Sequence, residues 1–171
     1  IPFVIGLGIA EATMVRVAHG VGRGNLAHAR YSGLLGMTTG VVILTLMVII
    51  PVVFASNIIN IFVNKSDPGY ETVALLATQF LAIAAIFQVF DGLQAIAARA
   101  LRGIKDNYAP LWIATFGYWV LGIGGGAFLA FGLGFDGAGL WWGLAIGLFV
   151  TGTLLAIRFW RLTNRLIRNA A

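Results

Sequence analysis

The chain contains no cysteine, so neither a disulfide framework nor a thiolate metal site can form. Charge is also scarce. Asp, Glu, Lys and Arg make up 10% of the 171 residues, against about 25% in a soluble domain. That is too little to coat a water-facing surface, and it excludes both a soluble globular enzyme and a disordered chain. Acidic residues are the scarcest. Six Asp and Glu against eleven Lys and Arg leave a net charge of +5. What is abundant is apolar: 60% of residues, with a mean hydropathy of +0.94 and 23 glycines.

A helix that crosses a membrane needs about 20 mostly apolar residues, at roughly 1.5 Å each for a core of about 30 Å. Five stretches qualify, at about 1–21, 34–62, 73–98, 111–131 and 138–157, followed by a basic tail at 158–171. The sequence therefore predicts a single transmembrane domain, an all-α integral membrane bundle of five spanning helices. Pro51 is expected to bend the second. The segment from Asn64 to Glu71, with Lys65, Asp67, Pro68 and Gly69, reads as a turn.

The connections carry the orientation. Arg23 and Arg30 lie in the first, Arg99, Arg102 and Lys105 in the third, and Arg158, Arg161, Arg165 and Arg168 in the tail. The opposite side has only Lys65. By the positive-inside rule the C-terminus is cytoplasmic. Cations spread over three short segments are topology determinants, not a nucleic-acid surface, although a phosphate or lipid contact at the tail stays open. Five spans place Ile1 outside with no initiator Met, basic n-region or cleavage site, which reads as a fragment lacking at least one upstream helix.

Asp91 is the sharpest feature. It lies eight residues before Arg99, about 12 Å deeper along the helix. A carboxylate in hydrocarbon is costly unless protonated, paired or ion-bound. Gln88 and Gln94 lie three residues to either side, so the three form one polar stripe. Either the stripe is an exchanging site for H⁺ or Na⁺, or it is a structural interhelix hydrogen bond. Glu11 is a second intramembrane acid, read either as a coupling partner or as lying near the outer water. Five residues put it about 140° from Arg16, so those two do not pair. Gly20, Gly22 and Gly24 read as a helix end, not a phosphate loop. Gly122, Gly124, Gly125 and Gly126 interrupt the fourth span and allow either close helix packing, the preferred reading, or local unwinding. Tyr118 and Trp119 lie deep enough to line a cavity for a lipophilic cation, and Trp141 and Trp142 read as an interfacial belt. His19 and His28 lack metal-ligand spacing, and no catalytic constellation can be placed.

Gln88-x-x-Asp91-x-x-Gln94 followed by Leu101-Arg102-Gly103-x-x-Asp106 resembles the multidrug and toxic compound extrusion (MATE) family. So do Gly117-Tyr118-Trp119, Gly139-Leu140-Trp141-x-Gly143, and the first helix from Pro2 through Arg16-Val17 to Gly22-x-Gly24. The resemblance covers nearly the whole chain. It implies helices eight to twelve of a twelve-helix, two-lobed transporter, with Asp91 matching the tenth-helix acid of the cation site. It also implies export of lipophilic cationic drugs against Na⁺ or H⁺ by alternating access, in a bacterial-type plasma (inner) membrane. The partners implied are membrane lipids, cationic drug-like molecules and the N-terminal lobe of the same chain. No cofactor and no enzymatic reaction are expected. Asp91 would be the Na⁺ ligand if sodium is the coupling ion, with Gln88 and Gln94 orienting the site, Glu11 as a possible second acid and Tyr118 and Trp119 as cavity wall. Several positions depart from the family pattern. Phe87 stands where Tyr is frequent, Ala18 where Gly is common and Gly124 where Pro is common, and Glu11 and Arg99 each stand where a small residue is usual. Two rivals remain: a lipid-linked precursor flippase, for which only Arg16 and Arg99 could face a pyrophosphate, and a non-transporting membrane subunit with a structural Asp91.

Overall fold

The computed structural model describes residues 2–63 and 69–170, and every element in them is helical. The expected turn at Lys65, Asp67 and Pro68 lies outside the described residues. The helices are α1 (Pro2–Gly22), α2 (Leu26–Val53), a short α3 (Ala55–Phe62), α4 (Tyr70–Gly103), α5 (Tyr108–Gly132) and α6 (Asp136–Ala170). All except α3 are long and apolar enough to cross a membrane.

Several boundaries differ from the hydropathy reading, because hydropathy marks hydrocarbon and not helix. α2 starts at Leu26 rather than Leu34, with Asn25 as its N-cap accepting from the His28 amide at 2.9 Å. The second span is not one helix to Phe62: it breaks at Phe54, three residues after Pro51. Proline removes the bond to the Met47 carbonyl and crowds the turn before it; α2 nonetheless runs on through Val53, and the ladder restarts as α3. α4 extends the 73–98 expectation at both ends. The basic segment after Ile157 is not a loose tail but the last turns of α6, which runs to Ala170. No Gly or Pro interrupts residues 153–170, and Leu, Arg and Ala favour helix.

α4 is the hub, packing against α1, α2 and α6, while α5 lies chiefly against α6. The core comprises Ala10 and Val17 of α1, Ala29 and Met37 of α2, Ile96, Ala97, Ala100 and Leu101 of α4, and Leu155 and Phe159 of α6. Lipid tails are as apolar as leucine, so close van der Waals packing, and not burial from water, must hold such helices together. The small core residues meet that need. A Cβ on Gly20 would lie 2.8 Å from the Ala29 amide nitrogen, so α1 and α2 touch backbone to backbone beside their connection. The outer surface carries exposed Leu46, Ile50, Leu75, Trp112 and Phe131, a face suited to hydrocarbon and not to water.

The glycines of α5 meet a second set spaced four apart on α6. Gly126 abuts Gly143, the Gly117 and Gly122 backbones lie against Gly147, and Gly139 lies against the Ala130 backbone. The packing expected for Gly122 and Gly126 is therefore present. With it comes a departure from α-helical geometry: α5 widens into π-helical turns over Phe116–Gly124 and Phe128–Gly132. Such turns are rare and often accompany functional residues; Tyr118 lies in the first.

Candidate ion site and its surrounding ion pairs

Gln88, Asp91 and Gln94 share one side of α4, spread over about 120° of arc and 9 Å of rise. All three are half-buried. Gly92 beside Asp91 receives the Leu44 side chain of α2, and Leu93 and Gln94 lie against Gly152 of α6. On the outer side of the stripe, Phe87 meets Trp141 edge-on at 6.1 Å and Phe90 meets Phe149 at 4.9 Å between ring centroids. These contacts fix the rotation of α4. Trp141, read as an interfacial belt residue, packs on Phe80 and Phe87 and remains 40% exposed.

Tyr118, in the first π-helical stretch of α5, is half-buried. Trp119, the next residue, is 67% exposed on the bundle surface.

Polar groups elsewhere in the bundle are satisfied in two ways. Buried hydroxyls bond their own helix: Thr13 donates to the Ile9 carbonyl, Thr151 to Gly147 and Thr163 to Phe159, each at 2.7 Å. A carboxylate cannot do this, because it only accepts and mid-helix amides are already engaged. Two acids take arginines instead. Glu11 of α1 pairs with Arg99 of α4. Asp106, in the α4–α5 connection, accepts from Arg158 Nε of α6 at 2.7 Å. Asp91 has neither kind of partner: among the described residues no ion pair and no hydrogen bond reaches it.

The Glu11 finding changes an expectation. The acid lies on a helix face that is half exposed in this bundle, but it is not a free second carboxylate, since Arg99 neutralises it. Spacing along one chain cannot reveal a pair between two helices. A signal was nonetheless present, because Glu11 and Arg99 both stand where the MATE pattern has a small residue. The Asp106–Arg158 pair and the bond from Arg30 of α2 to Asn164 of α6 were likewise invisible in the sequence.

The family model described as MatE matches residues 1–128. This chain belongs to the MatE family. Its relatives include the multidrug resistance protein NorM of Burkholderia vietnamiensis, 38% identical over 167 residues, which are 98% of this chain and 36% of that protein. A probable multidrug resistance protein NorM of Brucella suis biovar 1 (strain 1330) is 43% identical over 93% of this chain and 34% of its own length. The crystal structure of the eukaryotic MATE transporter AtDTX14 superposes with a TM-score of 0.76 at 22% identity, covering 99% of this chain and 38% of that one. That likeness shows the fold. The MatE chain thus spans little more than a third of the proteins it matches. MatE proteins are multi-pass membrane transporters and not enzymes, in keeping with the helices described here. Among the described residues of this MatE chain no three His, Asp or Glu side chains come together.

Proposed function

We propose that this chain forms most of the C-terminal lobe of a cation-coupled exporter, which moves lipophilic cationic drugs outward in exchange for Na⁺ or H⁺ by alternating access. The observation that carries the reading is Asp91, an acid in mid-span with no arginine and no donor among the described residues. The names of the NorM relatives, all multidrug resistance proteins, support the substrate class. Asp91 takes up the ion, Gln88 and Gln94 orient it, and Tyr118 contributes to the cavity wall. Trp119 offers its ring where a further lobe would complete a cavity. Ion and drug drive the cycle only through differential affinity for the inward- and outward-open states. The transporter resides in a plasma (inner) membrane with the C-terminal end of α6 in the cytoplasm, on the evidence of its arginines.

Asp91→Asn tests the proposal in the complete transporter reconstituted in vesicles. The amide keeps the shape and removes the site for H⁺ or Na⁺. The variant should express and fold normally, while drug export against an imposed gradient falls by about tenfold or more, within the 5–150-fold range of coupling free energies. Applying a proton gradient alone, then a sodium gradient alone, identifies the ion. Normal export by the variant would end the coupling role. Loss of folding would point instead to a structural acid.

A further inference from the structure

The C-terminal half of α6 carries more positive charge than topology requires, and the structure arranges it in a particular way. A cavity of about 430 Å³ lies between α5 and α6, with Ile113, Leu154, Ile157, Arg158, Arg161 and Arg165 in its lining. A second, of about 540 Å³, lies between α2 and α6 beside Arg30, Trp160 and Arg168. Arg161 and Arg165 line both. Arg158 is held by Asp106, and Arg30 is tethered to Asn164. Arg161, Arg165 and Arg168 are exposed and have no carboxylate partner among the described residues.

The first cavity is amphiphilic along the helix axis. Its apolar end, at Leu154 and Ile157, points back towards the membrane-spanning part of α6, and its cationic end lies about 16 Å further along at Arg165. Trp160, 50% exposed beside the same arginines, has the amphipathic ring that favours the headgroup level. A soluble phosphate or a nucleic acid would use the arginines and leave the apolar end unmatched. A phospholipid matches both ends, with its phosphate between two guanidinium forks and an acyl chain along Leu154, Ile157 and Ile113.

We propose that the groove beside Arg161 and Arg165 is a binding site for an anionic phospholipid of the leaflet that faces the α6 C-terminus. The proposal rests on the membrane-spanning reading alone and not on drug export.

The test uses the complete transporter in nanodiscs of phosphatidylcholine doped with phosphatidylglycerol. Native mass spectrometry reads the retained lipid, and brominated acyl chains read contact by quenching Trp160. Phosphatidylglycerol should be retained over phosphatidylcholine, and Arg161→Gln with Arg165→Gln should reduce that preference roughly thirtyfold, at the usual worth of two interfacial arginines. Arg102→Gln, an arginine outside the groove, should leave it unchanged. Brominated phosphatidylglycerol should quench the wild type more than a Trp160→Phe variant. If the double variant does not fold, this quenching comparison decides alone. Equal loss in Arg102→Gln, displacement of the lipid by millimolar inorganic phosphate, or quenching unaffected by Trp160→Phe would each overturn the proposal.

Discussion

The Glu11–Arg99 pair can be separated from a coupling acid by a double-mutant cycle. The side chains are 51% and 24% exposed, so the pair is neither fully solvated nor buried. Solvated pairs contribute about 0.2–1 kcal/mol, and breaking a buried pair costs about 3–5 kcal/mol. The intermediate exposure puts the loss for Glu11→Gln or Arg99→Gln at about 1–2 kcal/mol, most of it from the partner ion left without a counter-charge. Thermal denaturation of the purified transporter, followed by size-exclusion recovery, should show each single variant lowered by a few degrees. The double variant should be no worse than either single one. Exchanging the residues, Glu11→Arg with Arg99→Glu, should recover most of the stability. Export provides the second readout: a clamp between α1 and α4 predicts parallel, modest losses in both single variants and recovery in the exchange. Additive losses in the cycle would refute the pairing. An export defect confined to Glu11→Gln would restore Glu11 as a coupling acid.

Three further outcomes follow from the packing. Gly20→Ala would place a methyl 2.8 Å from the Ala29 backbone and should cost about 1–3 kcal/mol by thermal denaturation; Gly8→Ala meets nothing within 4 Å and should be neutral or slightly stabilising. Asp106→Asn releases Arg158 from the α4–α5 connection and should cost about 1–2 kcal/mol, allowing for the exposure of Arg158. Adding Arg158→Gln to it should then change little in the same assay. Thr151→Val removes only a hydroxyl that bonds a carbonyl already used by the helix, so the expected loss is under about 1 kcal/mol, and a loss as large as that of Gly20→Ala would contradict the local hydroxyl bond.

The five spans were legible because hydrocarbon thickness imposes a length that 171 residues of this composition can meet in few ways. The same signal misplaced the ends. Leu26 to Gly33 and Arg158 to Ala170 are helical yet too polar or too near charge to register as hydrocarbon. The Gln88–Asp91–Gln94 stripe was legible because it depends on one helix and its period. Whatever depends on two helices was not: Arg99 with Glu11 and Arg158 with Asp106 are set by which segments the fold brings together. The wide turns of α5 were not fixed locally either, since Gly122, Gly124, Gly125 and Gly126 permit several helical forms and the α6 glycines help to select among them.

The five acids among the described residues, taken together, bear on the proposed mechanism more than any one contact does. Glu71 and Asp136 stand in the first turns of α4 and α6, where free amides and the helix dipole favour negative charge. Glu11 and Asp106 hold arginines. Each of these four has a fixed source of stabilisation. Asp91 sits far from both ends of α4, and no guanidinium or donor reaches it among the described residues. A fixed partner would stabilise the carboxylate equally in every state of a transport cycle and so could not drive one. A carboxylate that depends on an arriving and departing ion is stabilised differently in each state, and that difference is what an exchanger needs.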